Sequence, residues 1–319
     1  MYNGTVKQAP ILVTGAPRSS TTFLGKMLAL PGHVLYVDEP FNVQTGIEGL
    51  QKTFPSPLHE AGLNGLDMEY AEVVEQLLKG DAQFRPSELR PATKNPLRQL
   101  ARELWVSREF LDYKWQSKNP LKQRYLIKDP MAFSLSEYLH RRFDMEAVVI
   151  MRHPLSTIAS YKRLNWHYDT GEVVAWARTM CADLEQVMQS AGLAVHGEVE
   201  QWALFWLAVN GVLENFIERN PAMLFVTHEE LSLFPHDTLE RLYGQLGLPF
   251  TARIKQKVTE HTNPSNPINP TDNRIHVLHR NSAENLNRWK HILTVEEAEV
   301  IQKITGPFVS RYYPESSWA

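Results

Sequence analysis

The sequence predicts an α/β protein with a central parallel sheet of about five strands flanked by helices, and three observations lead there. Residues 11–30, ILVTGAPRSSTTFLGKMLAL, run directly from a short apolar strand through a tight polar loop into an amphipathic helix. Four further apolar runs, at 33–37, 125–130, 147–151 and 223–226, are largely continuous rather than alternating, as in strands covered on both faces of a parallel sheet. Between the later runs lie stretches of helical periodicity, so strands and helices alternate along the chain.

In the first unit, Ile11-Leu12-Val13 is the strand, Gly15 and Pro17 turn the chain, and Thr21 or Thr22 opens the helix. The apolar side of that helix is Phe23, Leu24, Met27 and Leu28. Unpaired backbone N–H groups and the positive end of the helix dipole then face the loop, so an anion belongs there. Against the nucleotide-hydrolysing pattern G-x-x-x-x-G-K-[ST], Gly15 keeps the first glycine and Thr22 the final hydroxyl, which makes the unit P-loop-like. Ser20 replaces the second glycine, Thr21 replaces the lysine, and the cation is Arg18. Without that lysine the loop is poorly equipped for a triphosphate. A forked guanidinium beside two threonine hydroxyls suits one tetrahedral group, which favours sulfuryl over phosphoryl transfer.

Gly15-Ala16-Pro17-Arg18-Ser19-Ser20-Thr21-Thr22-Phe23-Leu24 resembles the 5′-phosphosulfate loop of sulfotransferases that use 3′-phosphoadenosine 5′-phosphosulfate (PAPS), in the "PRSGTT" form of bacterial and Golgi-type members. The resemblance implies that Arg18, Ser19, Ser20, Thr21 and Thr22 bind the donor. Ser20 stands where the family usually has glycine, and a serine fits there if its φ is negative. The plainer alternative is a strand–turn–helix of some other α/β protein.

The second strand, 33–37, ends in Asp38-Glu39-Pro40-Phe41-Asn42, and ligands gather beyond the carboxyl ends of such strands. Glu39 follows Arg18 by 21 positions, a spacing similar to that between the loop cation and the catalytic glutamate of tyrosylprotein sulfotransferases. The resemblance thus makes Glu39 the general base; the alternative is that Asp38 or Glu39 caps a turn or pairs with Arg18. Residues 43–119 show no repeated strand pattern but helical periodicity at 68–79 and 98–111. Trp105, Tyr113 and Trp115 in this insertion form either a lid over the acceptor or plain core. The third strand closes with a family-like Lys128-Asp129-Pro130. Lys128 is expected either to touch the sulfonate or 5′-phosphate, or to pair with Asp129 or Glu39.

In a kinase or other P-loop NTPase, a strand such as 147–151 ends in a Mg²⁺-holding aspartate. Here it ends in Arg152. Arg152-His153-Pro154, with Ser160 eight residues after the arginine, resembles the sulfotransferase 3′-phosphate segment. A bidentate guanidinium and a hydroxyl suit a terminal phosphate dianion. Residues 161–197, which include Trp166, His167, Tyr168, Trp176 and Cys181, are expected to form a helical flap on the acceptor side. A helix at 200–219 precedes the fifth strand, whose end, His228-Glu229-Glu230-Leu231, resembles the family's Y-E-D-L with histidine for tyrosine. A further helix is expected at 239–246. Pro264, Pro267 and Pro270 mark a long ordered loop or a gate over 263–273. Arg280-Asn281-Ser282, followed by Trp289-Lys290, is similar to the C-terminal R-K-G…W segment that closes over the 3′-phosphate, although the lysine and glycine are missing. Thr294 and Glu297 form a capping box that opens a last helix, to 304.

With 319 residues, 43% hydrophobic and 22% charged, the chain is read as a single domain, 1–319, with 43–119 and 161–197 as acceptor-side elements. A net charge of −3 argues against binding nucleic acid or an anionic membrane in bulk. There is no run of about 18 apolar residues and no apolar core of signal-peptide length, so no membrane insertion is expected. One cysteine, Cys181, fits a reducing cytoplasm, and twelve histidines without ligand spacing give no reason to expect a metal. The resemblance therefore implies a PAPS-dependent sulfotransferase with 3′-phosphoadenosine 5′-phosphate (PAP) as product. Its catalytic residues would be Glu39, Arg18 and Lys128, and its acceptor a small molecule, sugar or lipid-like alcohol or amine near Phe41, Trp105, Trp166, His167 and Tyr168. Arg152, Ser160, Arg280, Asn281 and Ser282 would complete the donor site. The oligomeric state is left open, a homodimer included. The rivals are a P-loop nucleotide kinase or NTPase and a catalytically inactive nucleotide-binding relative.

Overall fold

Five parallel strands form the sheet in the order β2-β3-β1-β4-β5. This architecture comes from a computed structural model that describes residues 8–42, 46–50, 66–85, 108–166, 171–180, 197–263 and 284–318. β1 (Ile11–Thr14) is central, and Leu12 lies level with Ile127 of β3 (Arg124–Lys128) on one side and with Ala147 of β4 (Glu146–Met151) on the other. β2 (Val34–Asp38) and β5 (Leu224–Thr227) are the edges. The chain leaves β1 first towards β2 and β3, then crosses to β4 and β5. The crevice at the carboxyl end of β1 is therefore a topological switch point, the place where open α/β sheets bind ligands.

Alternation along each strand builds two cores, one on each face. Ile11 and Val13 of β1, Leu126 of β3, and Val148 and Ile150 of β4 pack against α1 (Thr21–Leu28), through Leu24, Met27 and Leu28, and against later helices. Leu12, Tyr125, Ile127, Ala147, Val149 and Met151 face the larger core on the other side. There α2 (Leu66–Lys79), α3 (Arg108–Ser117), α4 (Ser136–Phe143), α5 (Pro154–Leu164), α6 (Gly171–Met180) and α7 (Glu198–Arg219) contribute. Apolar surface on both faces explains the continuous apolar strands of the sequence.

The chain continues through α8 (His228–Leu233), α9 (Pro235–Gln245) and α10 (Ala252–Thr262), a 3₁₀ segment Glu284–His291, and α11 (Val295–Val309). α11 opens with the expected box, Thr294 and Glu297 each accepting from the other's backbone N–H. It runs past the expected stop at 304 because Thr305, Phe308 and Val309 still bury side chains. α4, α8 and α10 bury few apolar side chains: Leu139 in α4, Leu231 in α8, and Ile254 and Val258 in α10. α10 buries only Ile254 and Val258, one turn apart, and is started by the Thr251 hydroxyl accepting from Ile254 N. The expected helix at 98–111 falls mostly outside the described residues, and its last positions begin α3. In α3, Tyr113 is core, donating to Leu77 O at 2.8 Å, whereas Trp115 is 79% exposed.

Gly15 lies in very close contact with β4. A Cβ there would overlap the Ile150 carbonyl oxygen and crowd the Ser19 hydroxyl, so the loop after β1 can lie on the end of β4 only as glycine. Gly15→Ala should therefore lower stability by about 1–3 kcal/mol or more through forced displacement of β4. The shift of the urea unfolding midpoint measures it.

Candidate active site

The loop between β1 and α1 is held in an unusual backbone shape. Arg18 has φ 70° and Ser20 φ 79°, both left-handed, with Ser19 between them. Ser19 N donates back to Ala16 O at 3.0 Å, whereas the first-turn N–H groups of α1 have no i−4 carbonyl to meet. The sequence reading that Ser20 fits with a negative φ is corrected here: the position is left-handed, which is why glycine suits it, and serine holds it at a cost of order 1 kcal/mol. Ser20 does not cap α1 with its side chain. Ser19 is fully buried, and its hydroxyl has no hydrogen-bond partner among the described residues.

The segment after β4 is fastened onto this loop. Arg152 donates through Nη1 to Arg18 O at 3.2 Å, Arg18 donates through Nε to the Ser160 hydroxyl at 3.2 Å, and the buried Tyr161 hydroxyl donates to Pro17 O at 2.8 Å. Two motifs separated by more than a hundred residues thus form one continuous basic surface. Tyr161 was not singled out from sequence, because a tyrosine on an apolar helix reads as core until its hydroxyl finds a carbonyl.

Across the crevice, Lys128 ends β3 fully buried, with Nζ 2.6 Å from both Asp38 Oδ1 and Glu39 Oε1. Burial opposes the ammonium charge, but the two carboxylates outweigh it and hold the lysine charged, above its ordinary range. Pairing with Glu39 was one of the expected alternatives; the equal share taken by Asp38 was not. Glu39 has φ 45°, donates its N–H to Lys128 O at 2.8 Å, and accepts from Asn42 Nδ2 at 3.3 Å. Asp129 accepts from Phe41 N at 2.7 Å and Met131 N at 2.8 Å. Burial and then the Glu39 charge raise its carboxyl to about 7, against the pull of those donors and of Lys128. Gly25 of α1 lies over the lysine stem, where a Cβ would stand 3.0 Å from Lys128 Cγ.

Behind Arg152, His153 N donates to Glu229 Oε1 at 3.1 Å, and Tyr313 OH donates to Glu229 Oε2 at 2.9 Å. The His153 ring sits edge-on to Tyr313 and Trp318 and meets the Ser317 hydroxyl at 3.2 Å. Glu229 was legible only as part of a family-like tetrapeptide. Phe41 is packed into the larger core, and Trp166 stacks on Tyr161 at 4.4 Å between ring centres while its carbonyl accepts from Trp202 Nε1. Trp105, His167, Tyr168, Trp176's side chain, Cys181, the proline-rich stretch and Arg280, Asn281 and Ser282 lie outside the described residues. Trp289, just beyond, packs on the larger core, and Leu286 O accepts from Ser156 of α5 at 3.2 Å.

Fold and site together define a parallel α/β protein with a strained polar loop at its switch point, beside a carboxylate–lysine cluster. The chain belongs to the sulfotransferase family, whose profile matches residues 10–252. Carbohydrate sulfotransferase 3 of Rattus norvegicus is 20% identical over 328 residues, and that of Mus musculus 22% over 331, each alignment covering 93% of this chain. The chain spans 66% of the length of these relatives. Among solved structures, retinol dehydratase in a complex with retinol and PAP matches with a TM-score of 0.48 at 13% identity, over 98% of this chain and 85% of that one. Among the described residues, no helix is long and apolar enough to cross a membrane.

Burial drives His153 down to about 3 and His228 well below its ordinary value, with the Arg152 charge adding to both. Each is neutral in the fold and takes a proton when unfolded, so stability is present above pH 6.5 and is lost as pH falls. The His153 contribution should be about 1.4 kcal/mol per pH unit between roughly 6.5 and 3. Glu229 and Asp129, raised by burial, act in the opposite sense. Comparing urea midpoints of the wild type and His153→Gln at pH 7.5, 6.5 and 5.5 isolates the histidine, and the variant should show the shallower pH dependence.

Proposed function

We propose that this protein transfers a sulfuryl group from PAPS to a hydroxyl or amine of a small-molecule, sugar or lipid-like acceptor. The observation that carries this reading is the contact of Arg18 with Ser160 and Arg152, which joins the loop suited to a 5′-phosphosulfate to the segment suited to a 3′-phosphate. Gly15's closeness to β4, the first-turn N–H groups of α1 and the buried Ser19 hydroxyl, without a hydrogen-bond partner among the described residues, fit a tetrahedral anion in the loop. Arg18, Ser19, Ser20, Thr21 and Thr22 would hold the 5′ end of the donor; Arg152, Ser160, Arg280, Asn281 and Ser282 would hold the 3′-phosphate. When bound, PAPS supplies an activated sulfuryl group.

Within this reading Glu39 accepts the acceptor's proton at its carboxylate, beside the crevice. Lys128 orients Glu39, and Arg18 with the α1 N–H groups stabilises negative charge on the departing phosphate oxygen. Thr21 in place of a lysine, and Arg152 in place of a Mg²⁺-holding aspartate, disfavour a nucleotide kinase. The name of the curated relatives supports a sugar among the acceptors. We read the whole chain as one domain acting in a reducing cytoplasm, in keeping with its single cysteine.

The site should discriminate nucleotides by their 3′-phosphate. Losing a doubly contacted phosphate costs roughly 2–5 kcal/mol, so calorimetry should find PAP bound far more tightly than ADP or AMP. Equal affinities would remove the reading. Incubation with labelled PAPS and a metabolite extract should yield an acceptor heavier by one sulfonate. Glu39→Gln, which keeps shape and hydrogen bonding to Lys128, should retain PAP affinity and lose about 10²-fold or more in that transfer.

A further inference from the structure

We propose that Asp38 is a positioning residue for the transfer step: it shares the Lys128 charge, so that Glu39 can take up a proton without stranding a buried ammonium. This rests on the reading of Glu39 as the base. The geometry is a single fully buried cation held at 2.6 Å by two carboxylates from adjacent positions, whose side chains are 38% and 29% exposed. Charges can be counted on each side of the step. Before it, one ammonium faces two carboxylates; after Glu39 is protonated, Lys128 and Asp38 remain as a neutral pair. Were Glu39 the only partner, protonating it would leave an uncompensated charge in the interior, which proteins strongly resist. Two carboxylates on one lysine therefore separate two tasks, permanent neutralisation and proton uptake.

The surroundings assign the tasks to particular residues. The Tyr36 hydroxyl donates to Asp38 Oδ1 at 3.0 Å, the same oxygen that meets Lys128, so Asp38 is fixed from two sides. Burial, and then the Asp38 charge, push the Tyr36 hydroxyl above its ordinary range, so it stays a donor rather than a competing base. Glu39 spends one oxygen on Lys128 and the other on a 3.3 Å contact from Asn42, which leaves room for an incoming donor. Among the described residues, the charged and titratable groups facing Glu39 include Tyr36 and Asp38 from β2, Lys128 at the end of β3 and Asp129 just after it; Gly25 is what α1 brings to the lysine.

The test needs no acceptor. In the full chain saturated with PAP, ¹³C-carboxyl NMR follows the Glu39 resonance, assigned by its absence in Glu39→Gln, as pH is varied. Removing Asp38 throws the whole lysine charge onto Glu39, and an opposite charge favours the ionised form. Asp38→Asn should therefore move the Glu39 titration to lower pH, and Asp38→Glu should restore it. If Asp38→Asn does not fold, Asp38→Ser, smaller and able to keep the Tyr36 bond, replaces it with the same expectation. An unmoved Glu39 titration in a folded variant overturns the proposal. In transfer assays with labelled PAPS, Asp38→Asn should lose on the order of tenfold in turnover with the KM for PAPS unchanged. Wild-type transfer by Glu39→Gln would overturn the base reading instead, a failure the acceptor-free titration keeps separate.

Discussion

The close approach of Gly15 to the Ile150 carbonyl sets the position of the loop on which the rest of the site depends. With the loop lying on the end of β4, the carbonyls of Pro17 and Arg18 come within reach of Tyr161 and Arg152, and the Arg18 side chain within reach of Ser160. Those bonds in turn make the left-handed conformations at Arg18 and Ser20 tenable. Neither residue would hold such a backbone in isolation; each is over-determined by its neighbours, as strained residues at functional sites must be.

A third strained residue, Glu39, sits where β2 ends, and the same logic applies. Its N–H is tied to the Lys128 carbonyl and its carboxylate to the Lys128 ammonium, so main chain and side chain of one residue are both fixed by another. The crevice therefore has one wall rich in donors and one wall of carboxylates around a single buried cation. The donor wall suits an anionic group, and the carboxylate wall suits a group that must lose a proton.

Much of this was legible in the sequence because the strands are apolar throughout and the loops after β1 and β4 have distinctive polar composition. Arg18 was found as the cation of the loop, Arg152 and Ser160 through their resemblance to the family's 3′-phosphate segment, and the structure brings them together. What was not legible depends on tertiary geometry. The φ of Ser20 follows from how the loop is pinned, not from serine's own preference. The sharing of Lys128 between two acids follows from the parallel register that sets Asp38 opposite Lys128. Helices such as α10 bury only two apolar residues, Ile254 and Val258, so little of their sequence is set by the core.

The sheet order also governs how the chain can be made. Ile11 in the central strand pairs with Leu126 and Glu146, which lie 115 and 135 positions later. As the chain leaves a ribosome, β1 and its loop emerge more than a hundred residues before β3 and β4, the strands that β1 pairs with. Until then the most apolar strand presents both faces and both edges to its surroundings, a condition that slows folding and invites association with other chains. Placing the donor loop on the earliest strand and its fastening on the fourth makes the site the product of nearly half the chain, and no N-terminal fragment ending before β4 could build it.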